Sequence, residues 1–283
     1  TNTVLNYAFI FGKLGCPAMG VRGAALATVI SAAVSMGMNV AFSYGMRLPA
    51  GARPSEWLRQ EKGFVGRFSK TVVPVIFNEG LWAVGTTMYN VFYGRMGDAA
   101  VATMGVCTTI NDLVWVAIFA LMNATAIIVG KALGAGDRER AYLYAKRMMA
   151  GALAAGVALG VAVIAVRWPL VNIFSGLSYP VRDKAQFILL LGGMTIWFRA
   201  FNTINIVGVL RSGGDTLFSL CLDVGTLWLV SVTSTGLAAL VLHWPLEWVY
   251  ACTFLEEAVK MAVGIPHFKK KQWMNVLTEQ PQG

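Results

Sequence analysis

The sequence predicts an all-α integral membrane protein, and three observations carry that prediction. Hydrophobic residues make up 57% of the 283 residues and charged residues only 13%, which is more apolar than a soluble domain requires. The mean hydropathy is +0.61. The apolar residues form blocks of roughly 20 to 30 that can cross a hydrocarbon core as helices, without the strict alternation of barrel strands.

Seven complete spans and one partial helix are predicted. The complete spans are 23–46, 71–94, 100–130, 148–166, 185–210, 217–242 and 245–266. The opening stretch TNTVLNYAFIFG is apolar but only about half a span long. It starts without a Met or the charged leader of a signal peptide, so we expect the chain to be truncated at its N-terminus. The small residues of AGALAAGVALGVAVIAV predict close helix contact in the fourth complete span.

Lys and Arg are concentrated in alternate loops, and this sets the predicted orientation. One set of loops and the tail contain Arg47, Arg53, Arg59, Lys62, Arg67, Lys70, Lys131, Arg138, Arg140, Lys146, Arg147, Arg211, Lys269, Lys270 and Lys271. The other set contains only Lys13, Arg22, Arg95, Arg167, Arg182 and Lys184. The first set and the C-terminus are therefore predicted to face the cytoplasm from a multi-pass protein of the cell membrane. Because this charge lies beside the spans, the net charge of +9 does not predict a nucleic-acid partner.

The sequence does not predict an enzyme, a metal site or a cofactor. Cys16, Cys107, Cys221 and Cys252 are scattered, and His243 and His267 stand apart from them. There is no HExxH, no GxSxG, no Walker A loop and no GxGxxG after a strand. The Gly-rich KALGAGD follows a span and lacks the GKS/T ending, so it is interpreted as a helix stop and a tight turn.

The spans contain several acids and few bases. Glu79 is predicted about 12 Å from the cytoplasmic end of its span, and Glu256 and Glu257 lie at a comparable depth. The bases at that depth are Arg199 and Lys260, and Lys260 is spaced to pair with Glu256 as i,i+4 neighbours. At least one carboxylate is then left to be protonated or to hold a cation, which is the pattern of ion-coupled transport.

Glu79 is the main candidate for that role, although a second interpretation stays open. A buried acid could instead be satisfied by Asn78, by Asn202 on another helix, or by backbone that Pro74 leaves unbonded. Asp112 is a weaker candidate because the adjacent Asn111 could satisfy it. Asp223 is predicted to be structural, since it lies close enough to the cytoplasmic end to meet RSGGDT.

Aromatic residues deep in the spans allow a cavity for flat, lipophilic or cationic compounds. These residues are Trp82, Trp115, Trp197 and Trp228. For any single one of them, ordinary helix packing is the favoured explanation.

Several stretches resemble consecutive landmarks of the multidrug and toxic compound extrusion (MATE) family of transporters. They are NYAFIFGKLGCPAMGVRGAALATVIS, PVIFNEGLWAVGTTMYNVFYGRMG, NATAIIVGKALGAGD, FNTINIVGVLRSGGDT, and LDVGTLWLV followed by LEEAVK. The resemblance implies twelve helices in two six-helix bundles, with a central cleft that alternates between cytoplasm and exterior. On this map 1–46 is the end of the first bundle, 47–70 a cytoplasmic linker, 71–266 the second bundle and 267–283 a cytoplasmic tail, and most of the first bundle is missing.

The resemblance also places the candidate residues. The acid on the first helix of the second bundle matches Glu79, whereas the partner acid expected on the fourth helix is replaced by FRAFNTIN, which offers Arg199, Asn202 and Asn205. The predicted coupling site is therefore Glu79 with Asn78, Asn202 and Asn205, and with Asp112 as the weaker member. The coupling ion is H⁺ or Na⁺. The predicted substrate cleft contains Trp82, Trp115, Trp197 and Arg199.

The predicted function is ion-coupled antiport that exports small organic, often cationic, compounds by alternating access. A lipid-linked oligosaccharide flippase of related fold is one alternative, but such a protein is expected to require a more cationic cleft than Arg199 alone supplies. A membrane enzyme or a non-transporting scaffold is the other. The missing catalytic motifs count against the enzyme, and the surplus of intramembrane acids counts against the scaffold.

Overall fold

The computed structural model describes residues 1–46, 64–174 and 176–275, with the side chains of Phe64 and Arg67 outside the description. Throughout these ranges the regular structure is helical, without a strand. The chain divides into two units, Thr1–Val65 and Gly66–Gly283. The predicted linker lies mostly in residues 47–63, outside the described residues, as does the end of the tail at 276–283.

In the first unit, the described residues 1–46 form two helices, α1 (Asn2–Phe11) and α2 (Val21–Gly45). They correspond to the predicted partial helix and the first predicted complete span. A methyl group added to Gly23 would lie 2.6 Å from the carbonyl oxygen of Phe9, so the missing side chain lets the two backbones meet.

From Phe64 onward the described residues form seven helices, and all but the first two residues of these helices lie in the second unit. They are α3 (Phe64–Arg95), α4 (Asp98–Gly134), α5 (Arg138–Ile173), α6 (Tyr179–Arg211), α7 (Thr216–Val241), α8 (Leu246–Cys252) and α9 (Leu255–Lys269). Helix α6 is α-helical to Thr203 and π-helical over Ile204–Arg211, and α7 has π-helical stretches at Leu227–Val232 and Leu237–Val241. Such wider turns change the side-chain register and often occur at functional sites.

Among the described residues, five helices are long and apolar enough to cross a membrane, namely α2, α4, α5, α6 and α7. This confirms the all-α membrane fold and five of the predicted spans. The predicted span 71–94 lies inside the continuous helix α3, which is not one of the five. Its interior carries Asn78, Glu79 and Asn90, and these polar residues lower its mean hydropathy.

The prediction of one continuous helix over 245–266 is wrong. The segment forms two helices, α8 and α9, which are separated by a turn at Thr253 and Phe254. The hydroxyl of Thr253 donates to the carbonyl oxygen of Tyr250 at 2.7 Å, and this bond stabilises the end of α8. The break places the acids of α9 in its first turn, at Glu256 and Glu257.

Helices α5 and α6 pack very closely, as the small-residue run predicted. A methyl group on Gly160 would collide with the carbonyl oxygen of Gly193, and one on Gly156 would lie 2.6 Å from the Cα of Trp197. Helix α6 also contacts α4, α8 and α9. Its polar residues therefore face several helices at once.

Candidate functional site

Glu79 is paired with a base in the structure. It lies at the middle of α3, with 59% of its side chain exposed, and its Oε1 is 2.6 Å from Nη1 of Arg211. Arg211 is the last residue of α6, and only 12% of its side chain is exposed. A charge-assisted bond of this length is strong because both partners are ionised.

The same guanidinium also reaches a second acid. Arg211 Nη2 lies 3.5 Å from Oδ2 of Asp223 on α7. Asp223 is further bound by Asn78, whose Nδ2 donates to Oδ2 at 3.0 Å, and by Lys260, whose Nζ lies 2.8 Å from Oδ1. Side chains from α3, α6 and α9 therefore converge on this carboxylate, and they compensate the cost of burying it.

Lys260 links this group to the first turn of α9. Its Nζ lies 3.8 Å from Oε1 of Glu256, four residues earlier, so the pair that the spacing predicted is present. The other oxygen of Glu256, Oε2, is buried without a hydrogen-bond partner. Glu256 is therefore the least well compensated acid of this group.

Arg199 and Glu257 form a neighbouring pair. Arg199 Nε lies 3.7 Å from Glu257 Oε1, and the guanidinium also contacts Thr253 Oγ1 at 3.4 Å. Asn202 Nδ2 donates to both Oε2 and the backbone oxygen of Glu257, each at 2.8 Å. Arg199 thus neutralises one acid, as the sequence predicted.

We call these residues together the acid–base cluster; it consists of Glu79, Asp223, Glu256, Glu257, Arg199, Arg211 and Lys260. Four carboxylates face three basic side chains, so the fully ionised cluster carries one excess negative charge. In a membrane such an excess is costly, and a proton or a bound cation removes it.

Two of the three asparagines predicted around Glu79 bind other acids. Asn78 is buried and faces Asp223, and Asn202 is buried and faces Glu257. Asn205 is fully buried and lies against Gly264 of α9. This close approach is possible because Gly264 has no side chain: a methyl group on it would lie 2.8 Å from Asn205 Nδ2. Neither amide atom of Asn205 has a hydrogen-bond partner within the described residues. The expectation that these three side chains surround Glu79 is therefore corrected, because Arg211 occupies that position.

The structure separates the other candidate residues. Asp112 is exposed on α4 and is not part of the acid–base cluster. Trp82 is 45% exposed on α3, whereas Trp197 is half-buried where α6 meets Gly156.

Trp115 and Arg199 line a cavity of about 10 Å³ together with Asn111 and Tyr250. This volume is enough for one water molecule but not for a drug. Of the four residues predicted to form a substrate cleft, Trp115 and Arg199 line this small cavity, and Trp82 and Trp197 are not among its lining residues.

The pairing of Arg211 with two acids was not predicted from the sequence. Arg211 was counted with the loops, although it directly follows the apolar run INIVGVL and ends α6 without an intervening polar residue. That position was an available signal, because a long basic side chain at a helix end can turn back along the helix. In the described ranges, no group of three or more His, Cys, Asp or Glu side chains is arranged to hold a metal ion.

Comparison with known proteins places this architecture in a family. The MatE family model matches residues 74–235, which is more than half of the chain. A probable multidrug resistance protein NorM of Thermotoga maritima is 25% identical over 80% of the chain and 48% of its own length. The multidrug resistance protein MdtK of Edwardsiella ictaluri is 26% identical over 84% of the chain and 52% of its own length. The chain thus spans about half the length of these curated relatives.

The structural comparison agrees on the fold. A MOP superfamily transporter from Pyrococcus furiosus has a TM-score of 0.81 at 18% identity, over 99% of this chain and 61% of its own chain. At that identity the likeness shows the fold alone. The relatives found are transporters rather than enzymes. From the family match across α3 to α7, this multi-pass membrane chain belongs to the MatE family.

Proposed function

We propose that this chain supplies the second bundle, and the last helices of the first, of an ion-coupled antiporter that exports organic, often cationic, compounds. Membership of the MatE family and the names of the multidrug-resistance relatives support export. The excess carboxylate of the acid–base cluster supports ion coupling, because that charge needs a proton or a cation. Transport by alternating access then follows if the ion and the drug favour different facing states.

One observation carries the coupling step: Arg211 lies between two acids, 2.6 Å from Glu79 and 3.5 Å from Asp223. Glu79 is the more exposed of the two, so an incoming ion meets it first. A proton on Glu79 removes the charge that holds Arg211, which then pairs with Asp223 alone. Since Asp223 also binds Lys260, this shift weakens the hold of α7 on Lys260 of α9.

The surroundings of Glu79 favour H⁺ over Na⁺ as the coupling ion. A Na⁺ ion at Glu79 would have to lie beside the guanidinium of Arg211 or displace it, and two cations at this separation repel each other. A proton neutralises the carboxylate without adding a second cation. Bound drug in the cleft would favour the other facing state, and each ligand shifts the equilibrium only by its differential affinity.

The test is Glu79→Gln in the full-length protein that contains this chain, reconstituted in vesicles and assayed for uptake of a fluorescent organic cation. We expect uptake driven by a pH gradient to fall to background, because Gln cannot release and recapture a proton. The matched control is Glu139→Gln, which removes an exposed acid in the first turn of α5 and should leave uptake unchanged. Wild-type uptake by Glu79→Gln would remove Glu79 from the coupling mechanism.

The same assay with a Na⁺ gradient distinguishes the ions. Uptake that responds to Na⁺ and not to pH would contradict the proton assignment. The flippase alternative requires a cationic cleft, for which the sequence offered only Arg199. Because Arg199 is paired with Glu257 and contacts Thr253, this alternative gains no support.

A further inference from the structure

A cavity of about 790 Å³ opens where α4 and α5 meet, away from the acid–base cluster. Three basic side chains line it: Lys131 in the last turn of α4, and Arg140 and Arg147 on α5. Tyr144, which lies between the two arginines in the sequence, lines the cavity as well. We call this space the hairpin cavity.

The spacing of these residues makes the hairpin cavity a convergent site. Arg140, Tyr144 and Arg147 follow the i, i+4, i+7 pattern, which places them on one face of a helix. Lys131 approaches from the neighbouring helix. The same hairpin also contains Arg138 and Lys146, which do not line the cavity. A general excess of basic residues in a cytoplasmic loop does not require this convergence.

The hairpin cavity carries a net positive charge, and only part of that charge is balanced by an acid. Its one acid, Asp137, caps α5 by accepting the backbone N–H of Arg140 at 2.9 Å, and its other oxygen lies 3.0 Å from Arg140 Nε. Asp137 therefore fixes the position of Arg140 at the mouth of the cavity. Within the described part of the chain, Lys131 and Arg147 make no ion pair.

The cavity also has an apolar wall that continues into the spans. Ile128 and Ala132 on α4 and Met148 on α5 line it, and Ile128 is 38% exposed. Helices α4 and α5 are both long and apolar enough to cross a membrane, and the basic residues lie near the ends that meet in the hairpin. A ligand with an anionic head and an apolar chain matches this combination of surfaces.

We propose that the hairpin cavity binds the phosphate headgroup of an anionic phospholipid. Lys131, Arg140 and Arg147 contact the phosphate oxygens, and the hydroxyl of Tyr144 donates a hydrogen bond to them. One acyl chain lies along Ile128 and Met148. The bound lipid would tie α4 to α5 at the end predicted to face the cytoplasm.

The test measures lipid binding to the purified full-length protein by native mass spectrometry, with phosphatidylglycerol titrated into detergent solution. Phosphatidylcholine with the same acyl chains tests the need for net negative charge, and glycerol 3-phosphate tests the headgroup without a lipid chain. The variants are Lys131→Gln and Arg147→Gln. Lys146→Gln is the matched control, since it removes one exposed positive charge from the residue beside Arg147.

We expect phosphatidylglycerol to bind more tightly than phosphatidylcholine, and each cavity variant to weaken it about fivefold, as for one basic residue at a membrane surface. Lys146→Gln should bind it as the unaltered protein does. An equal loss in Lys146→Gln would overturn the proposal in favour of diffuse surface charge. Binding of phosphatidylcholine as tight as that of phosphatidylglycerol would also overturn the proposal. The same holds if glycerol 3-phosphate saturates the protein at the concentration at which phosphatidylglycerol does. If Lys131→Gln or Arg147→Gln lowers the unfolding temperature, Tyr144→Phe is tested in its place. Lipid affinity that is unchanged in all three of these variants also overturns the proposal.

Discussion

Arg211 Nη1 lies 2.6 Å from Glu79 Oε1 and so ties the end of α6 to the middle of α3. The two residues are 132 positions apart in the sequence, and no local pattern connects them. Because Arg211 also reaches Asp223, it links α3 and α7 through one side chain. The proposed mechanism depends on this one guanidinium being able to pair with either of two acids.

Arg211→Gln in the full-length protein should abolish uptake driven by a pH gradient while leaving the protein in the membrane. Glu79 would keep its carboxylate, but a proton on it would no longer release a cation. Arg95→Gln is the control, because Arg95 is an exposed arginine at the end of the same helix as Glu79. Uptake in the vesicle assay is the measurement.

The double variant Glu79→Gln/Arg211→Gln tests whether the two side chains act as a unit. If they do, the double variant lowers the unfolding temperature in detergent no more than Arg211→Gln alone, since either single change already breaks the pair. Additive losses in unfolding temperature would contradict the shared role.

Lys260→Met should destabilise the protein because Lys260 compensates two acids. Its Nζ lies 2.8 Å from Asp223 and 3.8 Å from Glu256, and its side chain is only 7% exposed. Removing one partner of a buried ion pair costs about 3 to 5 kcal/mol. The measurement is the unfolding temperature in detergent, with exposed Lys146→Met as control.

A second change separates the charge from the packing. Glu256→Gln introduced into Lys260→Met removes the acid that pairs with Lys260 at 3.8 Å and would be left without a cation, so it should recover part of the lost unfolding temperature. A double variant that is less stable than Lys260→Met would show that Lys260 acts through packing instead.

Local patterns in the sequence predicted the helices and some pairs. Apolar blocks predicted five spans, and the i,i+4 spacing predicted the Glu256–Lys260 pair, because both depend on residues close in the chain. The contact of Asp223 with the RSGGDT turn was also expected, and Arg211 of that turn lies 3.5 Å away. The small residues around Gly160 predicted close packing, although not the partner helix.

What the sequence did not predict depends on packing between distant elements. Glu79 was predicted to need a partner inside its span, but the packing of α3 and α6 brings Arg211 to it from a distant part of the chain. Asn205 was expected beside Glu79, and the π-helical turns that begin at Ile204 instead place it near Gly264. The break at Thr253 was missed because no Gly or Pro marks it in the stretch ACTFLEE.

Gly160→Ala should destabilise the contact between α5 and α6. The added methyl group would collide with the carbonyl oxygen of Gly193, and backbone cannot move aside as a flexible side chain can. Overpacking of this kind costs about 1 to 3 kcal/mol. Gly151→Ala is the control on the same helix, since a methyl group there meets nothing within 4 Å.

The two alanines should change the unfolding temperature in opposite directions. Gly151→Ala is expected to raise it slightly, because Ala favours the helix over Gly by about 1 kcal/mol. Equal effects of the two substitutions would show that Gly160 is not required for close approach of the helices.

The tail after α9 packs against the turn that follows Arg211. Trp273 is fully buried, and a methyl group on Gly213 would lie 2.5 Å from its Cε3. The backbone N–H of Asn275 donates to the oxygen of Gly213 at 2.9 Å, and His267 lies 2.6 Å from Asp215. Trp273 is therefore part of the packed interior around this turn. It holds the turn that begins two residues after Arg211.

Trp273→Ala should loosen this turn and with it the position of Arg211. Loss of a buried Trp side chain costs about 3 to 5 kcal/mol, so we expect a lower unfolding temperature and faster tryptic cleavage at Lys269, Lys270 and Lys271. Uptake driven by a pH gradient should fall as well, since Arg211 would lose its fixed distance to Glu79. Trp244→Ala removes a tryptophan that is 45% exposed and is the control for both measurements. Faster cleavage with unchanged uptake would mean that the tail stabilises the protein without positioning Arg211.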